Sequence, residues 1–198
     1  MKKIKNINIE IITKTAWILW FICFIAFVIL VVNTINRYSS LRQHADGYSF
    51  PWPGILPDNK FYKLKVLRNK IIYKMIISPV KKVEFDLFMA DKTIYASRLL
   101  MDKGEITLAK DTALKGENYY SILVQDYNKA LLGKKKIPPY LDRGITLAAQ
   151  KHQEVFKDLE NRVSWKNKET FRIVNNFSKI NYDFIVGLRM SKKKEVEK

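Results

Sequence analysis

Cysteine is almost missing from this chain. Cys23 is the only one, so no disulfide can form within the chain and stability has to come from packing. Ile22 stands where a lipoprotein cleavage site wants a small residue, which leaves Cys23 as a small hydrophobe inside an apolar run. Histidine is nearly as scarce. His44 precedes the folded part and His152 is the one histidine inside it, so neither a Ser-His-Asp nor a Cys-His constellation can be assembled. No second His or Cys completes a metal set around His152; Glu154, Asp158 and Glu160 on the same helix offer only a weak cation site, and a polar, surface or half-buried His152 is expected instead. No Gly-rich phosphate-cradling loop occurs, and no stretch alternates apolar and polar residues as a strand does. The expectation is a non-enzyme with no cofactor, no catalytic residues and no metal site, built only from helices.

What is present first is a long apolar run. Ala16 to Val32 carries no charge, and extending it to Thr34 and Ile35 gives about 20 residues, a helix about 30 Å long that matches a bilayer hydrocarbon core. Lys2, Lys3, Lys5 and Lys14 against Glu10 precede it, and only Arg37 and Arg42 follow closely, which favours an inner N-terminus and an outer domain. A cleaved signal peptide shares the basic start, but its apolar core is shorter and ends at a small-x-small site, whereas Asn33, Thr34, Ile35 and Asn36 follow here. An uncleaved signal anchor is expected, with Trp17, Trp20 and Tyr38 at its interfaces. The organisation expected is a cytoplasmic tail over 1–15, the anchor over 16–35, a Pro/Gly/aromatic connector over 36–55, a helical domain over 56–190 and a charged tail over 191–198. Tyr48, Phe50 and Trp52 in the connector are expected to pack on the domain rather than on head groups.

The domain is then divided by its breakers. Asp58 is a candidate N-cap for a helix reaching about Ile77, with Phe61, Leu64, Leu67 or Arg68, Ile71, Met75 and Ile76 following helical spacing as its buried stripe and Lys60, Lys63, Lys70 and Lys74 opposite. Ser78-Pro79 stops it and opens a second helix to Lys103, whose Val80, Val83, Leu87, Ala90, Ile94, Ser97 and Met101 form a heptad seam widened by Phe85, Phe88 and Leu99. Gly104 ends it. A third helix spans about Glu105 to Leu132, with Gly116 as a weak point; a fourth runs from Pro139 to Val163 and buries Leu141, Ile145, Ala148, Val155, Phe156 and Leu159. Ser164 opens a fifth that buries Phe171, Val174, Phe177, Phe184 and Leu188. The short connections make consecutive helices antiparallel, so the fold class is all-α: one N-terminal transmembrane helix followed by an up-and-down bundle or elongated array of about five helices. No fixed-period repeat is visible, although the helix pairs look alike. Glu84, Asp86 and Asp91 fall at spacings that suit solvated helix faces with nearby lysines.

Leu56-Pro57-Asp58-Asn59-Lys60-Phe61-Tyr62-Lys63-Leu64-Lys65 resembles the signature of an uncharacterised bacterial family of membrane-anchored helical domains, Leu-Pro-Gly/Asp followed by Tyr, two residues and Lys. Ser78 to Phe85, Ala90-Asp91-Lys92 and Lys151 to Phe156 are similar to further family elements; the chain departs at Thr93 and Ala96, where the family tends to carry Arg and Glu. The resemblance implies an exported, membrane-tethered helical domain of no established activity. Leu56, Pro57, Asp58, Tyr62 and Lys65 themselves read as a packing device, in which Asp58 caps, Leu56 folds back on Phe61 or Tyr62, and the Lys65 stem covers the Tyr62 ring.

Charge remains. Thirty-six Lys and Arg stand against 19 Asp and Glu, a net charge of +17. Lys dominates alongside Ile, Asn, Tyr and Phe, so a compositional origin stands ahead of a functional one, and the scarcity of Arg argues against nucleic acid. If the charge is functional, the partners are anionic lipid head groups or an envelope polymer, met by Lys60, Lys63, Lys70, Lys74, Lys81 and Lys82 and by Lys134, Lys135 and Lys136. The alternative is a membrane-tethered regulatory module acting through a protein partner.

Overall fold

The structure, a computed structural model, describes residues 14–26, 29 and 48–196, with side chains as far as residue 191. The chain divides into two compact units, Met1–Ser40 and Leu41–Lys198. In the first, residues 14–26 form helix α1, and residue 29 is also helical; all side chains described there are exposed. Trp20 stacks on Phe24 at 5.6 Å between ring centroids. No helix among the described residues is long and apolar enough to cross a membrane. The span expected over 16–35 lies in part outside the described residues, as do the tail over 1–13 and the connector over 36–47.

Among its described residues the second unit has helix as its only regular secondary structure: α2 (Tyr62–Met75), α3 (Pro79–Asp102), α4 (Ile106–Leu132), α5 (Pro139–Asn161) and α6 (Trp165–Val196). Proline opens both α3 and α5 at the position where a missing N–H leaves no bond unmade. Gly104, at φ 79°, ends α3 in a Schellman turn, with Glu105 N bonding Leu100 O at 3.0 Å and Gly104 N bonding Met101 O at 3.0 Å. The end of α4 closes in the same way, but Lys134 rather than Gly133 occupies the left-handed position, at φ 53°. α6 continues to Val196, into the segment expected to form a separate charged tail.

Helices α3 to α6 form a ring in which α3 packs on α4, α4 on α6, α6 on α5 and α5 on α3. Consecutive helices within a hairpin are antiparallel, as their short connections require. The two hairpins are stacked in parallel. Along α3 and α5 the pairs Glu84–Tyr140, Asp91–His152 and Asp102–Arg162 ascend together, at sequence separations of 56, 61 and 60 residues. Along α4 and α6, Lys110–Asn167 and Glu117–Asn181 do the same. α4 and α5 therefore lie diagonally opposite, joined through the centre where the Tyr120 hydroxyl donates to Ile145 O at 2.9 Å. This departs from a simple up-and-down bundle, in which consecutive helices are neighbours.

The core has two apolar storeys. One gathers Leu87, Leu123, Tyr127, Leu141, Ile145 and Ile185, the other Ile94, Leu100, Ala113, Phe156, Phe171 and Val174. The heptad seam of α3 is buried from Val83 to Met101, and every α5 core position expected from the sequence is buried. Two stripes are not. Leu64 (64 % exposed), Leu67, Ile71 and Met75 of α2 face outward, and α2 buries Asn69 and Ile72 instead; of the expected stripe Ile76, just past the end of the helix, is buried. The flank of α3 and α4 that α2 covers is polar, offering Asp86, Asp126 and Lys115, and it takes up Tyr62, Lys65 and Tyr73 rather than leucines. On α6, Phe171 and Val174 are buried, but Phe177 (54 % exposed) and Phe184 (50 % exposed) stand outside the ring, with Ser178 and Ile185 turned in. The acids expected on solvated faces are also buried: Glu84, Asp86 and Asp91 all lie inside.

Gly116 marks the tightest crossing. A Cβ there would lie 2.5 Å from Ile94 Cγ1 and 3.1 Å from Ile94 N, so α3 and α4 meet with no space for a methyl group. Gly116→Ala would gain about 1 kcal/mol of helix propensity but meet overlap of about 1–3 kcal/mol, first with the Ile94 side chain and then with its backbone nitrogen. A lower melting temperature is expected. The loss in Ile94→Ala/Gly116→Ala should be smaller than the sum of the two single losses; additive losses would show that the crossing is not the cause.

Candidate functional site

α2 is where the candidate residues collect. Its first turn is shorter than expected: the helix begins at Tyr62, Phe61 holds the N-cap position without a side-chain cap, and the Asn59 Oδ1 accepts from Phe61 N at 2.9 Å. Asp58 caps nothing and instead pairs with Lys103 Nζ at 2.6 Å, tying the connector to the end of α3. Leu56 and Pro57 are half-buried beside it, and Phe61 is exposed, so no buried staple forms on Phe61. Lys65 does cover the Tyr62 ring, with its Nζ 5.4 Å from the centroid, and donates to Pro53 O and Ile55 O at 2.8 Å each. The residues of the motif thus clamp the connector onto α2 and α3.

Tyr62 is met from α4 as well. Lys115 Nζ lies 5.2 Å from its ring centroid and 3.4 Å from its hydroxyl oxygen. Between α2 and α3 a cavity of about 20 Å³ opens beside this ring, enough for one water molecule. Among the described residues its lining includes Lys65, Arg68 and Lys92 with Tyr62, Phe88 and Tyr119, and no Asp or Glu. Burial, reinforced by Lys92, Arg68 and Lys115, pushes the Lys65 ammonium down to about 8. Burial also lowers Lys115. The sequence motif pointed to Tyr62 and Lys65, but Arg68, Lys92 and Lys115 join them only through the packing of three helices.

The remaining lysines divide. Lys60, Lys63, Lys70 and Lys74 are exposed along α2, flanking its outward stripe of Leu64, Leu67, Ile71 and Met75. Lys81 is paired with Glu84 at 2.7 Å, and Lys82 Nζ lies 5.3 Å over the Tyr73 ring. Lys134, Lys135 and Lys136 are exposed in the turn between α4 and α5. The structure therefore assembles one row on α2 and leaves the other candidates on separate elements.

His152 is not at the surface. It is fully buried, with Nε2 donating to Asp91 Oδ1 at 2.9 Å, while the Tyr48 hydroxyl donates to Asp91 Oδ2 at 2.5 Å. Phe50 stacks on the imidazole at 5.7 Å and on Tyr95 at 6.0 Å, and Trp52 meets Tyr95 edge-on at 5.9 Å, so the connector aromatics pack on the domain. Among the described residues His152 Nδ1 has no hydrogen-bond partner. Of the acids that follow it, Glu154 pairs with Lys151 and Asp158 with Arg162, so their geometry is that of surface ion pairs.

Two buried carboxyls flank this region. Glu117 shares Oε1 with Asn181 at 2.7 Å, and burial pushes it up to about 8. Asp86 lies beneath α2 near Asp126, which accepts from the Tyr73 hydroxyl at 3.1 Å; burial and then Asp126 push Asp86 up to about 8. Compared with known proteins, the chain matches no family model, no curated protein and no solved structure.

Asp86 carries a pH signature. Its folded pKa is raised, so the folded state holds the proton more tightly than the unfolded chain, and stability falls as pH rises from about 4 to about 8. Asp86→Asn removes that dependence. The variant is expected to match the wild type near pH 4.5 and exceed it by about 1–3 kcal/mol at pH 8 in urea unfolding. An unchanged pH slope would show that Asp86 is ionised in the folded protein.

Proposed function

We propose that the protein is a single-pass membrane protein that presents a non-catalytic helical domain on the extracytoplasmic side, where α2 lies against an anionic lipid surface. The observation that carries this reading is the outward face of α2, on which Leu64, Leu67, Ile71 and Met75 run beside Lys60, Lys63, Lys70 and Lys74. An exposed apolar stripe flanked by lysines is the pattern of an interfacial helix: the stripe enters the head-group boundary and each lysine contributes about 1 kcal/mol against anionic lipid. The uncharged run from Ala16 to Val32 and its basic N-terminal flank support the tether and its orientation. The resemblance of Leu56 to Lys65 to a family of membrane-tethered domains supports the same placement. His152, the single histidine of the domain, is sealed beneath Phe50 and engaged by Asp91, so it offers no accessible acid or base.

A protein partner is the second reading, and α6 favours it. Ile173, Phe177, Ile180 and Phe184 are all exposed at helical spacing, a stripe suited to a facing helix.

Vesicle co-sedimentation separates the two. Leu67→Gln/Ile71→Gln changes only exposed positions, so the unfolding free energy is expected to stay within about 0.5 kcal/mol of the wild type. Binding to phosphatidylglycerol vesicles should fall at least about tenfold, and Lys63→Gln/Lys70→Gln/Lys74→Gln should weaken it and flatten its salt dependence. Unchanged vesicle binding in both variants would remove α2 as the lipid face. Protease added to intact cells should cleave the domain; full protection would reverse the topology.

A further inference from the structure

We propose that the outward stripe of α6 pairs, antiparallel, with the same stripe of a second copy of the chain to form a homodimer. Such a dimer rests on the protein-partner reading of α6 and not on α2 touching lipid.

The spacing is that of a helix seam. Ile173, Phe177, Ile180 and Phe184, between 41 % and 62 % exposed, follow one another at steps of four, three and four residues, the heptad rhythm by which one helix faces another. The opposite side of the same helix already buries Phe171, Val174, Ser178 and Ile185 within the domain.

Charge separates this stripe from the one on α2. From Lys60 to Lys74 the α2 segment carries six basic residues and no acid. From Glu169 to Leu188, α6 carries Glu169, Arg172, Lys179 and Asp183, two of each sign. Copies of a molecule with a net charge of +17 repel one another over most of their surface, and the α6 stripe is a place where that repulsion is cancelled locally. The balanced flank also lacks the row of lysines that draws an anionic membrane or an acidic partner.

The stripe is complementary to itself in one direction. It reads Ile, Phe, Ile, Phe, so an antiparallel copy centred between Ser178 and Lys179 sets Phe184 against Ile173 and Ile180 against Phe177, and every layer opposes a ring to a branched aliphatic chain. In a parallel pair Phe would meet Phe and Ile meet Ile, crowding some layers and thinning others. At the antiparallel register Asp183 of each copy comes level with the stretch from Arg172 to Asn176 of the other. Among the described residues Asp183 makes no ion pair within its own chain, so it is free to meet Arg172 of the second copy.

Size and placement agree with a reversible pair. The four side chains offer about 450 Å² per copy, and with their polar flanks two copies bury about 1,200 Å², the lower end of stable interfaces and suited to a micromolar dissociation constant. Going round α6 at about 100° per residue, Arg189, which bonds Thr146 of α5, is followed by Asn181, which bonds Glu117 of α4, and then by the stripe. The stripe therefore turns out of the α4–α6 side of the ring, next to the α3–α4 side that α2 covers. A two-fold axis perpendicular to both α6 helices leaves the α2 faces of the two copies on one side of the dimer.

The test uses the full-length chain in maltoside micelles over about 1–100 μM, the range in which such an interface dissociates. Sedimentation equilibrium should give a dimer, and Phe177→Asp/Ile180→Asp should raise its dissociation constant at least about thirtyfold. Both positions are exposed, so helicity and the urea midpoint of that variant should stay near the wild type. Leu67→Gln/Ile71→Gln on α2 should leave the dimer intact. A monomeric wild type, or a dimer lost in the α2 variant and kept in the α6 variant, overturns the proposal. Register is read in a Cys23→Ser background: copies with Ile173→Cys mixed with copies with Phe184→Cys should form a disulfide, whereas either alone, about 16 Å from its own counterpart, should not. A bridge in Ile173→Cys alone would mean a parallel pair and overturn the arrangement. Photoreactive benzoylphenylalanine in place of Ile180, activated in intact cells, tells the two levels apart. An adduct of twice the chain mass supports the dimer; an adduct of any other mass overturns it and keeps a protein partner for α6; the absence of an adduct overturns both.

Discussion

The structure depends on a polar waist held between two apolar storeys. Where α3 and α4 cross at Ile94 and Gly116, the interior turns polar: Asp91 bonds His152 across α3 and α5, Glu117 bonds Asn181 across α4 and α6, and Tyr120 bonds the Ile145 carbonyl across the centre. Apolar layers alone tolerate a slip of one helix past another by a turn, because leucine-like side chains interchange with modest loss. Buried polar pairs do not. A slip by one turn would leave Asp91, Glu117 and His152 desolvated and unpartnered, at a cost of several kcal/mol. The waist therefore fixes the height of all four helices at once, and it explains why the second hairpin repeats the first at a separation of about 60 residues although the sequence shows no repeat.

The same layer governs what surrounds the ring. Tyr48 completes the hydrogen bonding of Asp91, and Phe50 closes over His152, so the connector is drawn onto the waist by satisfied polar groups as much as by apolar contact. From there the chain must cross to α2, and Lys65 holds it through Pro53 and Ile55 while Asp58 holds it to Lys103. α2 is thus delivered onto the outer flank of α3 and α4. That flank presents Asp86, Asp126 and Lys115, and a helix docked there has to offer side chains with polar tips. Tyr62, Lys65, Asn69 and Tyr73 meet that demand, and the more apolar stripe is left outside.

This accounts for what the sequence made legible. Helices α3 and α5 were readable in type, boundary and buried face, and α4 in type and boundary, because each packs against two neighbours and its apolar stripe is wide. Pro79, Gly104 and Pro139 marked their ends through plain backbone chemistry. The inward faces of α2 and of the second half of α6 were not readable. In both, the stripe with the higher apolar content points outward, and hydrophobic periodicity reports that a stripe exists without saying what it faces. His152 and the acids of α3 were misplaced for a related reason: a buried ion or hydrogen-bonding group is recognised only through its partner, and Asp91 finds its partners 43 and 61 residues away.

The net charge of +17 acquires a direction from this arrangement. Lys81, Lys103, Lys129 and Lys151 are each spent on a carboxylate within 3.0 Å, and Lys82 lies over Tyr73. Those positions behave as an ordinary lysine-rich surface, whose ion pairs contribute little. α2 differs on both sides. Its outer side aligns Lys60, Lys63, Lys70 and Lys74 with exposed leucine, isoleucine and methionine, and on its inner side Lys65 and, from α4, Lys115 both lie against the Tyr62 ring. A compositional bias toward lysine spreads charge without regard to neighbours. It does not place ammonium groups from two helices against one tyrosine ring, and that meeting at Tyr62 is where composition ceases to be a sufficient account of the charge.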